Sequence, residues 1–192
     1  MRIALTLFLL LSPAVALAHP GHLHGGGFAS GFSHPLLGLD HVFAMIAVGL
    51  WAASLGGAAA PILLLAFPLA MIAGGLLGAA DVPLPAVEAG IAASSIVIGV
   101  AVMLALRPPL WAAGLVVAAF AVFHGHAHGT EMPAAGNLAP YAAGFVLATL
   151  LLHLAGLGIG RVGRLHPGPM LSRGLGAVIA LVGSFALGGL AG

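Results

Sequence analysis

The sequence predicts an all-α integral membrane protein, a bundle of six transmembrane helices behind a cleaved signal peptide. Three observations carry that expectation. Only 5% of the 192 residues are charged and 61% are hydrophobic, with a mean hydropathy of +1.21, whereas soluble domains carry about 25% charge. Apolar stretches of about 20 residues, the length that crosses a bilayer as a helix, recur along the chain. The breaks between them hold most of the few charges, and the arginines beyond the signal keep to one side.

Residues 1–18 read as a secretory signal: Arg2 is the charged start, Ile3 to Leu11 the apolar core, Pro13 a break, and Ala16-Leu17-Ala18 a small-x-small cleavage site. The alternative is an uncleaved anchor helix, which the short apolar core opposes. Cleavage leaves a His/Gly-rich segment, residues 19–35, on the periplasmic side, with His19, His22 and His24 at its start. Those three histidines are weak candidates for capturing a metal ion. Residues 36–192 then form the transmembrane domain.

Six helices are expected in it: Leu36 to Leu55, Pro61 to Ala80, Ala86 to Leu106, Leu110 to about His128, Pro140 to Gly160, and Leu171 to Leu190. Gly56-Gly57, Pro83 and Pro85, Pro108-Pro109, Pro133 and Pro167-Gly168-Pro169 punctuate them. A periplasmic mature N-terminus turns the loops after helices one, three and five inward. Arg107, Arg161, Arg164 and Arg173 then fall on the inner side, while Asp81 and Glu131 fall in outer loops. This is the pattern that the positive-inside rule asks for. An even helix count returns the C-terminus to the periplasm, and the chain is expected in a bacterial inner membrane. Small residues four apart, Ala70, Gly74 and Gly78, then Gly156 and Gly160, read as helix packing.

Several function classes drop out. There is no cysteine, so neither a disulfide framework nor a thiolate metal site exists. A net charge of +1 carries no signal for nucleic acid. The chain has no lysine and no phosphate-cradling Gly-x-x-x-x-Gly-Lys-Ser/Thr stretch, so it holds no ATPase site of that kind. The His-Glu-x-x-His and Gly-x-Ser-x-Gly signatures of hydrolases are missing too; the chain reads as no enzyme.

What remains is a set of 10 histidines and 4 acidic residues in a greasy chain. Ionisable groups at membrane depth are costly and mark function. The first cluster is His34-Pro-Leu-Leu-Gly-Leu-Asp40-His41 and the second Phe123-His124-Gly-His126-Ala-His128-Gly-Thr-Glu131. Imidazole and carboxylate without thiolate suit nickel, cobalt or zinc. In a straight helix His34 and His41 would stand about 10 Å apart along the axis, with Pro35 in the first turn and His34 just outside it. Asp40 is either a ligand or the partner that orients His41. His124 and His128, four apart, share a helix face. Glu131 lies one turn on, and His126 points away and ranks lower. Helix one enters from outside and helix four leaves toward it, so both clusters are expected at the outer third of the membrane. His153 is either a satisfied core histidine or an inner relay. Glu88 either snorkels to the interface or joins the metal site. Met45, Met71 and Met103 read as packing.

The two clusters resemble the signatures of the HupE/UreJ family of hydrogenase and urease accessory membrane proteins. One is a histidine, five residues, then Asp-His: here His34, Asp40 and His41. The other is Phe-His-Gly-x-Ala/Val-His-Gly-x-Glu: here Phe123, His124, Gly125, Ala127, His128, Gly129 and Glu131. The similarity runs over essentially the whole chain. It implies a permease that supplies Ni2+, or in some members Co2+, to hydrogenase or urease maturation. The ion is then a transported substrate rather than a bound cofactor, and downstream nickel chaperones are the implied partners. Two rival readings are a metal sensor that transports nothing and an electron-transfer protein holding haem between histidines such as His41 and His153.

Overall fold

The computed structural model describes residues 27–131, 138–163 and 169–190. Among them it has seven α-helices: α1 (Phe28–Leu37), α2 (Leu39–Leu55), α3 (Ala59–Ala79), α4 (Val87–Met103), α5 (Leu110–Thr130), α6 (Leu138–Val162) and α7 (Pro169–Gly189). No described residue is in a strand. Helices α3, α5, α6 and α7 are long and apolar enough to cross a bilayer, and α1 with α2 makes a fifth candidate, bent by 87°. Helix α4, with 17 residues, is shorter. The molecule is an all-helical, multi-pass membrane protein. The signal segment and His19, His22 and His24 lie outside the described residues.

One expectation is corrected here. The first apolar stretch is not a single helix starting at Leu36. It breaks at Gly38, whose backbone is extended at φ −96° and ψ 116°. Pro35 does not stand in a first turn: helix α1 runs from Phe28, and both His34 and Pro35 lie inside it. Broken helices are tolerated at membrane depth where the freed backbone lines a polar cavity.

Backbone-to-backbone packing joins the helices in pairs, α3 on α5, α4 on α7, and α2 and α1 on α6. Glycines make the approach possible. A side chain at Gly125 or Gly129 would run into the α3 backbone at Met71 or Gly75, and one at Gly74 or Gly78 into the α5 backbone. Gly49 and Gly156 serve the α2–α6 seam in the same way, and Gly31 and Gly144 the α1–α6 seam. Gly156 and the Gly74/Gly78 ladder therefore pack helices, as read from their spacing. Met45, Leu50, Leu63, Phe67, Ile98 and Val117 fill the shared core.

The ends of the bundle differ in charge. Trp51 Nε1 donates to the Leu106 carbonyl at 3.1 Å, and Arg173 Nε donates to the Met103 carbonyl at 2.8 Å. A Cβ on Gly163 would stand 3.2 Å from Ser172 Oγ. These contacts gather the ends of α2, α4 and α6 with the starts of α5 and α7, so Arg107, Arg161 and Arg173 share one end. The C-terminus of α5, with His128 and Glu131, is at the other.

Candidate metal centre

The bend at Gly38 makes the first cluster into a site. It turns α1 across the end of α2, so His34 leaves the line of the α2 axis and reaches the end of α5. There His34 Nε2 lies 3.2 Å from Glu131 Oε2, and its ring centroid is 4.7 Å from that of His128. Donor atoms of His34, His128 and Glu131 all fall within 4.8 Å of one another. A tetrahedral cation with bonds of about 2.1 Å holds its donors about 3.4 Å apart, so binding would draw the three together.

Further histidines continue inward. The ring of His128 is 4.5 Å from that of His41, and His41 is 4.8 Å from His124. The ring of Phe67 is next, 5.6 Å from His124 and 5.0 Å from His153. Glu131 and His34 at the mouth are 58% and 32% exposed, whereas His128 and His41 behind them are 9% and 12% exposed. His124 and His153 are fully buried. The file therefore runs from a mouth into the core. Its outer wall is aromatic, with Tyr141 and Phe145 6.1 and 6.2 Å from His34.

Local structure sets the field at the mouth. The C-terminal ends of α1 and α5 both point at it, and the partial negative charge there favours a cation. The N-terminus of α2 has the opposite sign, but Asp40 stands in its first turn. Asp40 Oδ1 accepts the His41 backbone N–H at 2.9 Å and the His41 Nδ1–H at 3.0 Å. That carboxylate thus orients His41, leaving Nε2 for a ligand. Glu131, just beyond the end of α5, accepts from His34, and this bond holds its carboxyl below the ordinary glutamate range against the opposing effect of burial.

The imidazoles are under-bonded. Nε2 of His41, Nδ1 of His124 and both ring nitrogens of His128 and His153 are buried without a hydrogen-bond partner. Each such atom costs roughly 1–3 kcal/mol when left unpaired. Four of these atoms belong to the outer file and two to His153 beyond Phe67.

The other expected residues stand elsewhere. His126 Nε2 bonds the Val82 carbonyl at 2.7 Å, fastening the α3–α4 loop. Glu88 is exposed in the first turn of α4. Met45 and Met71 are buried in the core. The rings of His124 and Phe67 stand in the chain of contacts that leads from His41 to His153. Sequence reasoning missed Phe67, one aromatic among many in an apolar stretch. It also missed Ser94, whose Oγ lies 2.9 Å from His124 Nε2.

A family model described as HupE / UreJ protein matches residues 7–186. The chain is 42% identical to Protein HupE of Rhizobium leguminosarum bv. viciae over 188 residues, covering 98% of each chain. No solved structure matches it.

Proposed function

Because this chain belongs to the HupE/UreJ family, a family of metal permeases rather than enzymes, we propose that it takes up a divalent transition metal across the inner membrane. Ni2+ is the first candidate substrate and Co2+ the second, and the ion is destined for hydrogenase or urease maturation. The observation that carries this reading is the file of His34, His128, His41 and His124. It draws on segments far apart in sequence and is flanked by the carboxylates of Glu131 and Asp40.

In this reading six spans cross the membrane after signal cleavage, both termini are periplasmic, and the mouth faces outward. The arginine-bearing end then faces the cytoplasm, in line with the positive-inside rule. His19, His22 and His24 attract ions to the mouth. Glu131 and His34 receive the ion and take over part of its hydration shell. His128, His41 and His124 pass it inward, Phe67 marks the end of the outer file, and His153 is the relay beyond. Discontinuous helices whose C-terminal ends face a cation are a recurring solution in transporters.

Transport needs no nucleotide. Two charges moving inward across 100 mV gain about 4.6 kcal/mol, which supports a gradient of about a thousandfold. Mixed imidazole and carboxylate ligands hold an ion firmly enough to admit it and loosely enough to release it.

The test is radioactive nickel uptake into proteoliposomes with an inside-negative potential, comparing wild type with Asp40→Ala and His128→Ala. Uptake by wild type and loss in both variants is expected. Variants that accumulate nickel like wild type would sink the site. Wild type that carries cobalt or zinc but no nickel would sink the substrate, and binding without accumulation would make the protein a sensor.

A further inference from the structure

Ser94 is on α4, outside both sequence clusters, and is fully buried. Its Oγ lies 2.6 Å from the Ile91 carbonyl oxygen and 2.9 Å from His124 Nε2. A hydroxyl has one hydrogen. Two oxygens at 2.6 Å are at the short end of the O–H···O range, and a carbonyl has no hydrogen to give. The hydroxyl hydrogen therefore points at Ile91, and Oγ is left to accept at its other contact. The donor is the N–H on Nε2 of His124.

A neutral imidazole carries one N–H, so Nδ1 of His124 holds the lone pair. That Nδ1 is buried and has no protein partner. The neighbouring ring, His41, reaches an equivalent state by another route: Nδ1 is engaged by Asp40 and Nε2 is unpartnered. The two facing rings thus each have one nitrogen anchored by the protein and one left over.

We propose that Ser94 is a positioning residue of the metal path: it holds His124 in the Nε2–H tautomer, so that Nδ1 is the nitrogen offered to a passing divalent cation. The proposal rests on the reading of the histidine file as a metal path. Partners on the far ring nitrogen orient a ligating histidine and set its basicity. Asp40 does this for His41 with a carboxylate, which strengthens the ligand. Ser94 does it for His124 with a neutral hydroxyl. His124 is then the weaker ligand of the two, which suits the deeper station, where the ion must be let go.

The experiment uses the purified full chain in nanodiscs with 15N-labelled histidine and nickel(II) alone as the probe. In the metal-free wild type, the His124 signals, assigned by their absence in His124→Ala, are expected to show a protonated Nε2 and a bare Nδ1. Ser94→Ala is expected to lose that pattern and to bind nickel about tenfold more weakly or worse. Ser94→Thr, which keeps the hydroxyl, is expected to restore both. A proton on Nδ1 in wild type overturns the proposal even if Ser94→Ala fails to fold. Wild-type tautomer and affinity in Ser94→Ala, with weak binding in His124→Ala, overturn it too. If His124→Ala itself binds nickel like wild type, the metal role of His124 fails, and the proposal with it.

Discussion

His34 Nε2 and Glu131 Oε2 meet at 3.2 Å although 97 positions separate them in the chain. The contact fastens α1 to the end of α5 and closes the outer mouth of the histidine file. It also gives the mouth a pH signature. The bond from His34 holds the Glu131 carboxyl below its ordinary value of 4.5. A carboxylate with a lower pKa folded than unfolded stabilises the fold above the unfolded value, and that contribution disappears as pH falls through the folded one. The melting temperature of metal-free wild type should therefore exceed that of Glu131→Gln by a constant margin from neutral pH down to about 4.5, and the margin should close below. It should be small and shrink with salt, because much of the Glu131 side chain meets solvent. A margin that persists unchanged to pH 3 would contradict the pairing.

His126 and His128 are two residues apart on α5 and have opposite assignments. His126 fastens the Val82 carbonyl, so His126→Ala should cost about 1 kcal/mol of stability and leave nickel affinity within about twofold. His128 sits between the imidazoles of His34 and His41 with both nitrogens unpartnered. His128→Ala should therefore weaken nickel binding tenfold or more, with unchanged or higher thermal stability, since two orphaned polar atoms are removed. Calorimetric titration and melting of both variants check the pair. Equal losses of affinity would refute the division of labour.

Gly38 is required for space rather than for its backbone angles. At φ −96° any residue fits the chain path. A Cβ there, however, would stand 2.9 Å from Asp40 Oδ1 and 3.0 Å from His41 Nδ1. Gly38→Ala should leave the helical content intact while pushing the Asp40–His41 pair out of register. Nickel affinity should drop about tenfold, the effect of disturbing an outer partner of a ligating histidine. Circular dichroism alongside nickel titration separates this outcome from simple misfolding.

Much of this was readable along the chain, and what was not has a physical reason. Apolar stretches bounded by proline and glycine mark helices α3 to α7 within a few residues of where they stand, because bilayer length and helix rise fix how long such a stretch must be. The break at Gly38 left no comparable trace. A lone glycine in a hydrophobic run costs a helix only about 1 kcal/mol, and packing of α1 across α6 through Gly31 and Gly144 is a long-range event. The i, i+4 spacing of His124 and His128 shows on a helical projection. That Phe67 and Ser94 touch His124 does not, since each looks like its many apolar or small neighbours until α3, α4 and α5 are folded together.

On the proposed path, Phe67 should separate binding from passage. Its ring is fully buried between His124 and His153, and it precedes Pro68, which removes a backbone N–H from the interior of α3. None of the outer donor atoms belongs to Phe67, so Phe67→Leu should bind nickel with an affinity within about threefold of wild type. Loss of the ring lets His124 and His153 shift toward the vacated space, and the handover between them suffers. Uptake into proteoliposomes should then fall well below wild type while binding persists. Phe67→Ala should show the same split on a weaker fold, destabilised by about 3–5 kcal/mol through the cavity it leaves. Parallel titration and flux measurements decide the matter. If Phe67→Leu loses binding and flux together, the ring belongs to the binding site itself; if it loses neither, His153 is not on the path.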